Sequence, residues 1–329
     1  MKERVLITGA SGFVGYHLIE AALNAGLEVH GAIRRSSDVS HLSGLDVQFV
    51  YPDYSDAAKL QKDLEEGQYN YIIHAAGVTR AKNEAEYNKI NAGYTDMLAQ
   101  AASAAKIPLS KFVFISSLAA MGPTFYEDTQ PITELSEARP VTNYGKSKLL
   151  AERYLAERKE LPLVVLRPTA VYGPREKDIY IMFKTLKSGL EPYIGTKGQW
   201  LSFIYAKDLA NVAIRSLAIP GDHIAYNISD GNIYARYELA NLTKKILGKK
   251  TLKFHVPLGV VKALSGILEL TASKGKTPVL NNEKLAELTA ENWNCSIEKL
   301  KKDMGYVPAY DLKKGLEETL QWYQSNNWL

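Results

Sequence analysis

Cysteine is almost missing from this chain. Cys295 is the only one, so no internal disulfide can close, which suits a reducing compartment such as the cytoplasm. Cys295 has no histidine near it in sequence and reads as a packing residue. A dominant charge is missing too: 40 Lys and Arg stand against 36 Asp and Glu, a net of +4. The charges look scattered, and nucleic-acid binding is not expected. No apolar run is long enough to span a bilayer, so no integral membrane segment is expected. Met1 leads at once into strand-like sequence, and no signal peptide is expected. There is no repeat and no low-complexity tract, which excludes solenoids and long linkers, and no metal is expected. What remains is 329 residues, 46% of them hydrophobic, enough for one large domain or two unequal ones.

One stretch organises the rest: Val5-Leu6-Ile7-Thr8-Gly9-Ala10-Ser11-Gly12-Phe13-Val14-Gly15. Strand-type residues run into three glycines, and a helical pattern follows. Gly9 permits a tight turn, Gly12 lets the backbone approach a pyrophosphate, and Gly15 lets the helix pack on the strand. The N–H groups from Ser11 through Phe13 and Val14 open the helix towards the phosphates, and its dipole favours their charge. The stretch predicts dinucleotide binding.

A helix is expected over about 13–25, ended by Gly26, then a strand from Leu27 to Ile33. In such folds the end of this strand meets the adenosine ribose, where an acid suits NAD and an arginine suits the 2′-phosphate of NADP. Arg34, Arg35 and Ser36 stand there, so NADP is expected, with NAD as the alternative. After a strand at Val47 to Val50 come Asp53 and Tyr54. Asp53 is placed to contact adenine, or to cap the helix beginning near Asp56. A strand from Tyr71 to His74 ends in Ala75-Ala76-Gly77, small residues that leave room for a cofactor. His74 reads as packed rather than catalytic. One helix is expected from about Glu84 to Ala105. Asn91 inside it is unusual and is given a structural role, bonding a neighbouring backbone group or a water.

Ser116 and Ser117 follow a strand at Lys111 to Ile115, at the end where doubly wound sheets bind ligands. Residues 122–141 read as a loop over that edge. Tyr144 and Lys148 are four apart at the start of a helix and project from one face. A strand at Leu163 to Leu166 runs into Arg167-Pro168-Thr169-Ala170-Val171-Tyr172-Gly173-Pro174. The strand–helix alternation then stops near residue 175. Beyond it the pattern gives helices at about 178–188, 207–217 and 235–247 and from Leu312, with short strands near 193–195, 201–205 and 224–228. The apolar stretch from Val256 to Leu270 reads as a core-facing helix, with a pocket wall or a membrane contact as alternatives. No linker separates the halves. Residues 1–175 are read as a nucleotide-binding domain, and 176–329 as mainly a substrate-binding lobe interleaved with it.

Gly9, Gly12 and Gly15, then Ser117, then Tyr144 with Lys148, resemble the extended short-chain dehydrogenase/reductases, the NAD-dependent epimerase/dehydratase family. Arg167 to Pro174 and Phe203-Ile204-Tyr205-Ala206-Lys207-Asp208 match as well. The resemblance covers residues 1 to about 210. It implies an α/β fold, a seven-stranded Rossmann doubly wound parallel sheet with a smaller C-terminal lobe. It also implies a homodimer formed through two helices of each subunit. Cofactor contacts would run along Gly9 to Gly15, Arg34 to Ser36, Asp53, Tyr54, Ala75 to Gly77, Tyr144, Lys148, Pro168 and Val171. Lys148 would bond the nicotinamide ribose, and Ser117, rather than Ser116, the reacting oxygen. The residue types agree with this. A carbonyl that accepts hydride needs a proton donor, and Tyr144 is a poor one at a free pKa of about 10. A lysine one turn away, with an oxidised nicotinamide, would lower that value.

Relatives of this kind include nucleotide-sugar epimerases and dehydratases, and reductases of the dihydroflavonol and 3β-hydroxysteroid type. The sugar-nucleotide branch commonly carries an asparagine three residues before the Gly-Pro and an arginine just before the later Asp-Phe-Ile. This chain has Ala170 at the first place and Leu201-Ser202 before Phe203. Both phosphate ligands are missing. The expected substrate is therefore a small hydrophobic ketone or secondary alcohol. A nucleotide sugar is the alternative, with Arg175 or Arg236 as its phosphate ligand. A non-catalytic NADP-binding regulator is disfavoured, because Tyr144 and Lys148 are both present.

Overall fold

A computed structural model describes residues 2–271 and 282–329. Short runs of β-branched and aromatic residues form the strands, and the first six are β1 (Arg4–Thr8), β2 (Glu28–Ala32), β3 (Val47–Val50), β4 (Tyr71–His74), β5 (Lys111–Ile115) and β6 (Leu163–Pro168). Then come β7 (Ala170–Tyr172), β8 (Leu190–Ile194), β9 (Trp200–Leu201), β10 (Phe203–Tyr205), β11 (Ile224–Ile228), β12 (Tyr234–Ala235) and β13 (Leu252–Val256). One seven-stranded sheet has the order β11-β6-β5-β4-β1-β2-β3, with every pairing parallel. β5 is buried along its whole length, as a central parallel strand covered on both faces must be.

The helices are α1 (Phe13–Asn24), α2 (Ala57–Gly67), α3 (Glu84–Tyr87), α4 (Tyr94–Ala104), α5 (Asn143–Glu157), α6 (Asp178–Lys187) and α7 (Ala206–Arg215). They continue with α8 (Glu238–Leu247), α9 (Leu258–Thr271), α10 (Asn282–Thr289), α11 (Glu298–Met304) and α12 (Leu312–Ser325). Leu18, Ile19 and Ala22 of α1 and Leu209, Val212 and Ala213 of α7 pack one sheet face. Leu60 and Leu64 of α2, Leu98 and Ala102 of α4, and Ala151 and Leu155 of α5 pack the other. The strand order reverses between β1 and β4, the point where such sheets bind ligands. The two strand-end loops meet there. A Cβ on Gly9, which has φ +70°, would lie 2.8 Å from the Ala75 carbonyl, so only glycine serves.

The segment expected as one helix from Glu84 to Ala105 is broken. Between α3 and α4 the chain makes a π-helical turn, Asn88–Gly93. The wider turn carries Asn91, whose side chain accepts the Val78 N–H at 2.8 Å and donates to the Val78 carbonyl at 3.0 Å. The stretch 201–205 also divides. β9 pairs with β12 while β10 pairs with β7, so Ser202 is a change of partner. β8 begins at Leu190, earlier than the pattern indicates. β11, from the second half of the chain, closes the sheet beside β6.

The remaining small sheets and α6, α8 and α12 enclose an aromatic cluster that includes Tyr172, Phe183, Phe203, Tyr205 and Tyr323. Residues 122–141 are pinned to the chain near Cys295. The Thr124 N–H donates to Asn292 and the Ile132 N–H to Asn294, and the Ser296 N–H returns a bond to Ile132. Cys295 itself is buried with Leu118, Met121 and Ile132, and burial pushes its thiol up to about 12. α9 differs from the core-facing helix expected of it. Val261 and Ser265 are buried, but Leu258, Val260 and Leu264 are exposed.

Candidate active site

Two strand ends and one helix build the site. β5 ends in Ser116 and Ser117, which leave in different directions. The Ser116 hydroxyl is buried and donates to Glu152 at 2.5 Å. Glu152 also holds the Arg167 guanidinium, with contacts down to 2.6 Å. Ser116 is thus committed to a buried network. Ser117 caps the turn at Leu118–Ala120, accepting the Ala119 N–H at 3.1 Å, and its hydroxyl lies close enough to the Tyr144 phenol to favour the ionised form.

Tyr144 reaches Ser117 because α5 comes very close to that turn. A Cβ on Gly145 would lie 2.3 Å from the Ala119 carbonyl. Thr142 caps α5 by accepting the Gly145 N–H at 3.0 Å, and Glu283 of α10 accepts the Asn143 N–H at 2.6 Å. Tyr87 stands edge-on to Tyr144, ring centroids 6.5 Å apart. Ser147 donates to the Tyr144 carbonyl and accepts from Asn91. Asn91 therefore ties the loop after β4 to the first turn of α5, a role that its place in mid-helix hints at and only the fold assigns.

Lys148 is buried below Tyr144. Its ammonium donates to the Ile115 carbonyl at 2.9 Å and lies 4.8 Å from the Phe114 ring centre. Burial pushes Lys148 down to about 8, still charged at neutral pH. Burial pushes Tyr144 up to about 12, against the influence of the Ser117 hydroxyl, and the nearby Glu287 charge adds to the rise. The lowering expected of Lys148 is not seen in the protein alone. The ammonium is turned to Ile115, and burial outweighs the rest. His74 is packed, as its position suggests. Thr8 and Thr95 occupy its two nitrogens at 2.7 and 2.8 Å, and burial drops it to about 3.

The glycine turn lies at the other end of the cleft. Ser11, Gly12, Phe13 and Val14 open α1, whose first turn has no side-chain cap. Gly15 packs so tightly that a Cβ would lie 2.2 Å from the Gly9 carbonyl. Ala76 donates its N–H to Thr8. A Cβ on Gly77 would stand 3.0 Å from Asn91 Oδ1 and 3.4 Å from Lys148 Nζ. These features fit a dinucleotide: an uncapped helix start for the pyrophosphate and a cradle without side chains leading to Lys148. Arg34, Arg35 and Ser36 are exposed after β2, and Arg35 lies 4.9 Å from the Tyr51 ring centre. Asp53 does not cap a helix. It binds the N–H and hydroxyl of Ser55, and Asp56 caps α2. Tyr54 stacks on Tyr94, ring centroids 5.2 Å apart, with its hydroxyl against Thr8. Pro168 is buried at the end of β6, and Val171 packs on the core from β7.

A family model, NAD dependent epimerase/dehydratase family, matches residues 5–229. The chain belongs to this family. It is an enzyme of that NAD-dependent group of oxidoreductases, epimerases and dehydratases. Its relatives within and around the family are split in chemistry. It is 26% identical to a ceramide reductase of Caulobacter vibrioides, across 99% of this chain and 96% of that one. It is 25% identical to a UDP-glucose 4-epimerase of Vibrio cholerae, across 99% and 98%. Among solved structures, a UDP-glucose 4-epimerase of Thermotoga maritima with UDP-glucose superposes with a TM-score of 0.81 at 21% identity, covering 98% of this chain and 99% of that one. That likeness establishes the fold. Glu152 and Arg167 form the buried network that holds Ser116, while Glu283 and Glu287 stand near the start of α5 and Tyr144. The sequence marks Arg167 only as part of a matching segment and gives no sign of the three glutamates, since their partners are distant in the chain.

Proposed function

We propose that the chain is an NADP-dependent oxidoreductase acting on a ketone or secondary alcohol of a lipophilic molecule, through Ser117, Tyr144 and Lys148. The observation that carries the choice of substrate is the state of Arg236, together with Ala170 and Leu201 at the places of the diphosphate ligands. Arg236 spends its guanidinium on the carbonyls of Ile194 and Lys197 and stacks on Tyr193 and Tyr237. Arg175 lies between the rings of Tyr16 and Trp322, 4.3 and 5.1 Å from their centres, with its buried Nε unpartnered, so it is the guanidinium still open to an anion. Ala170 and Leu201 offer no donor. A bound diphosphate would forgo charge-assisted bonds of about 1.5–3 kcal/mol each.

Each residue then has a definite task. Ser117 Oγ donates to the substrate oxygen. Tyr144, protonated at neutral pH, passes its proton to that oxygen as negative charge builds there. The Lys148 ammonium, one turn along α5, supports the resulting phenolate and bonds the ribose. A bound nicotinamide supplies or accepts the hydride. Arg34 meets the 2′-phosphate, and Asp53 and Tyr54 lie on the adenine side. A homodimer in the cytoplasm completes the reading.

Thermal shift tests the substrate class. A ligand specific to the folded state, at a hundredfold excess over its Kd, adds about 2.7 kcal/mol. Steroid-like or other hydrophobic ketones should raise the melting temperature of the NADP-loaded protein and drive consumption of NADPH, while UDP, dTDP and GDP should do neither. Stabilisation by a nucleoside diphosphate alone would make the enzyme an epimerase or dehydratase. For the cofactor, calorimetry should show tighter binding of NADPH than NADH, and Arg34→Ala should remove most of the difference, about 1.5–3 kcal/mol. Tighter NADH binding by the wild type would refute the NADP assignment.

A further inference from the structure

The charge that looks scattered in the composition gathers in one stretch of the sequence. Between Leu239 and Asn282 the chain has eight lysines and one acid, Glu269. Glu191 pairs with Lys244 and Lys253. Lys245, Lys249, Lys250 and Lys262 are exposed, and none is in an ion pair among the described residues.

Apolar surface lies in the same segment. Leu252 faces Leu190 across the β8–β13 ladder, and Phe254 faces Pro192 one rung on. Paired and alternate residues of a ladder share a face, so the four form one patch. Leu252 is 68% exposed and Leu190 44%. Only Pro257 separates β13 from α9, where Val260 and Leu264, one turn apart, are each 50% exposed.

We propose that this face docks on an anionic lipid bilayer. Lys249 and Lys250 stand just before the exposed Leu252, and lysines adjoining apolar surface are the combination that an acidic membrane surface attracts and then holds by burial in the headgroup layer. A two-fold contact with a second copy would set lysine against lysine. Among the described residues no helix is long and apolar enough to cross a membrane, so the contact is peripheral. It also adjoins the site. α9 packs on α10, and α10 holds the start of α5 through Glu283 and sets the Glu287 charge near Tyr144. Delivery of a lipophilic substrate from the bilayer rests on the proposed function, but docking does not.

The test is co-sedimentation of the full chain with vesicles of phosphatidylcholine alone or mixed with phosphatidylglycerol. The protein should follow the mixed vesicles only, and less so as salt screens the lysines. Lys249→Glu with Lys250→Glu, and separately Val260→Glu with Leu264→Glu, should each weaken partitioning about tenfold or more, with unchanged melting temperatures. Lys249→Arg with Lys250→Arg should retain it. No binding to acidic vesicles, or binding indifferent to both Glu pairs, would overturn the proposal. So would a dimer, seen by light scattering, that the Val260→Glu/Leu264→Glu variant splits.

Discussion

Lys148 is kept where it costs stability. Its ammonium is buried, and burial lowers its pKa from 10.5 to about 8. The charged form is therefore disfavoured in the folded state. The penalty is complete below pH 8 and fades as pH rises from 8 through 10.5, where the folded protein holds fewer protons than the unfolded chain. Lys148→Met should remove this penalty and lose one hydrogen bond to Ile115, for a net gain of about 2 kcal/mol at pH 7. Its melting temperature should exceed that of the wild type, by a margin that shrinks above pH 8, while turnover is lost. A lower melting temperature at pH 7 would show that Lys148 is structural. Tyr144→Phe separates the roles further. It should reduce turnover by at least about a hundredfold with cofactor affinity nearly unchanged, because only the proton donor is gone. Near-normal turnover would end the assignment of Tyr144. Both residues are legible in the sequence, because i and i+4 on a helix share a face whatever surrounds them. Asn91 and Glu152 were not legible as parts of the site, since Val78, Ser147, Ser116 and Arg167 reach them only through the fold.

At the scale of elements, the position of α5 against the sheet depends on one buried pair. Arg167 leaves β6 and meets Glu152 of α5, with both side chains about nine-tenths buried. Ser116 at the end of β5 joins them. Three elements that frame the site thus share one carboxylate. Arg167→Met would leave that carboxylate buried without its countercharge, at a cost of about 3–5 kcal/mol. Thermal or urea unfolding should show this loss, and Arg167→Met combined with Glu152→Leu should recover most of it. A single variant as stable as the wild type would mean that the pair does not hold α5. The pattern of elements was mostly legible, because apolar periodicity survives where one face is buried. It failed where a side chain or a partner overrides periodicity. Asn91 widens the helix between α3 and α4 to reach Val78. Ser202 ends one pairing and starts another with no change in the apolar run around it.

On the scale of the molecule, the break near residue 175 marks a change of pattern that the sheet ignores. β11 hydrogen-bonds β6 from Ile224↔Val164 to Ile228↔Pro168. α7 covers α1, and Ile204, Leu209, Val212, Tyr226 and Ile228 share one core with Leu18, Ile19, Val164 and Leu166. A chain cut after residue 175 keeps every glycine, Ser117, Tyr144 and Lys148. It loses the edge strand and α7, which together with α1 covers one face of the sheet. Local pattern cannot reveal this, because a strand reads the same whichever sheet it joins. The uncovered face of β6 and α1 would be an exposed apolar surface beside an unpaired edge, which favours aggregation. Residues 1–175 alone should therefore show no cooperative melting transition and should bind a hydrophobic dye, whereas the full chain melts cooperatively. A sharp, reversible transition from the isolated fragment would show instead that the first half folds by itself and that β11 and α7 only decorate it.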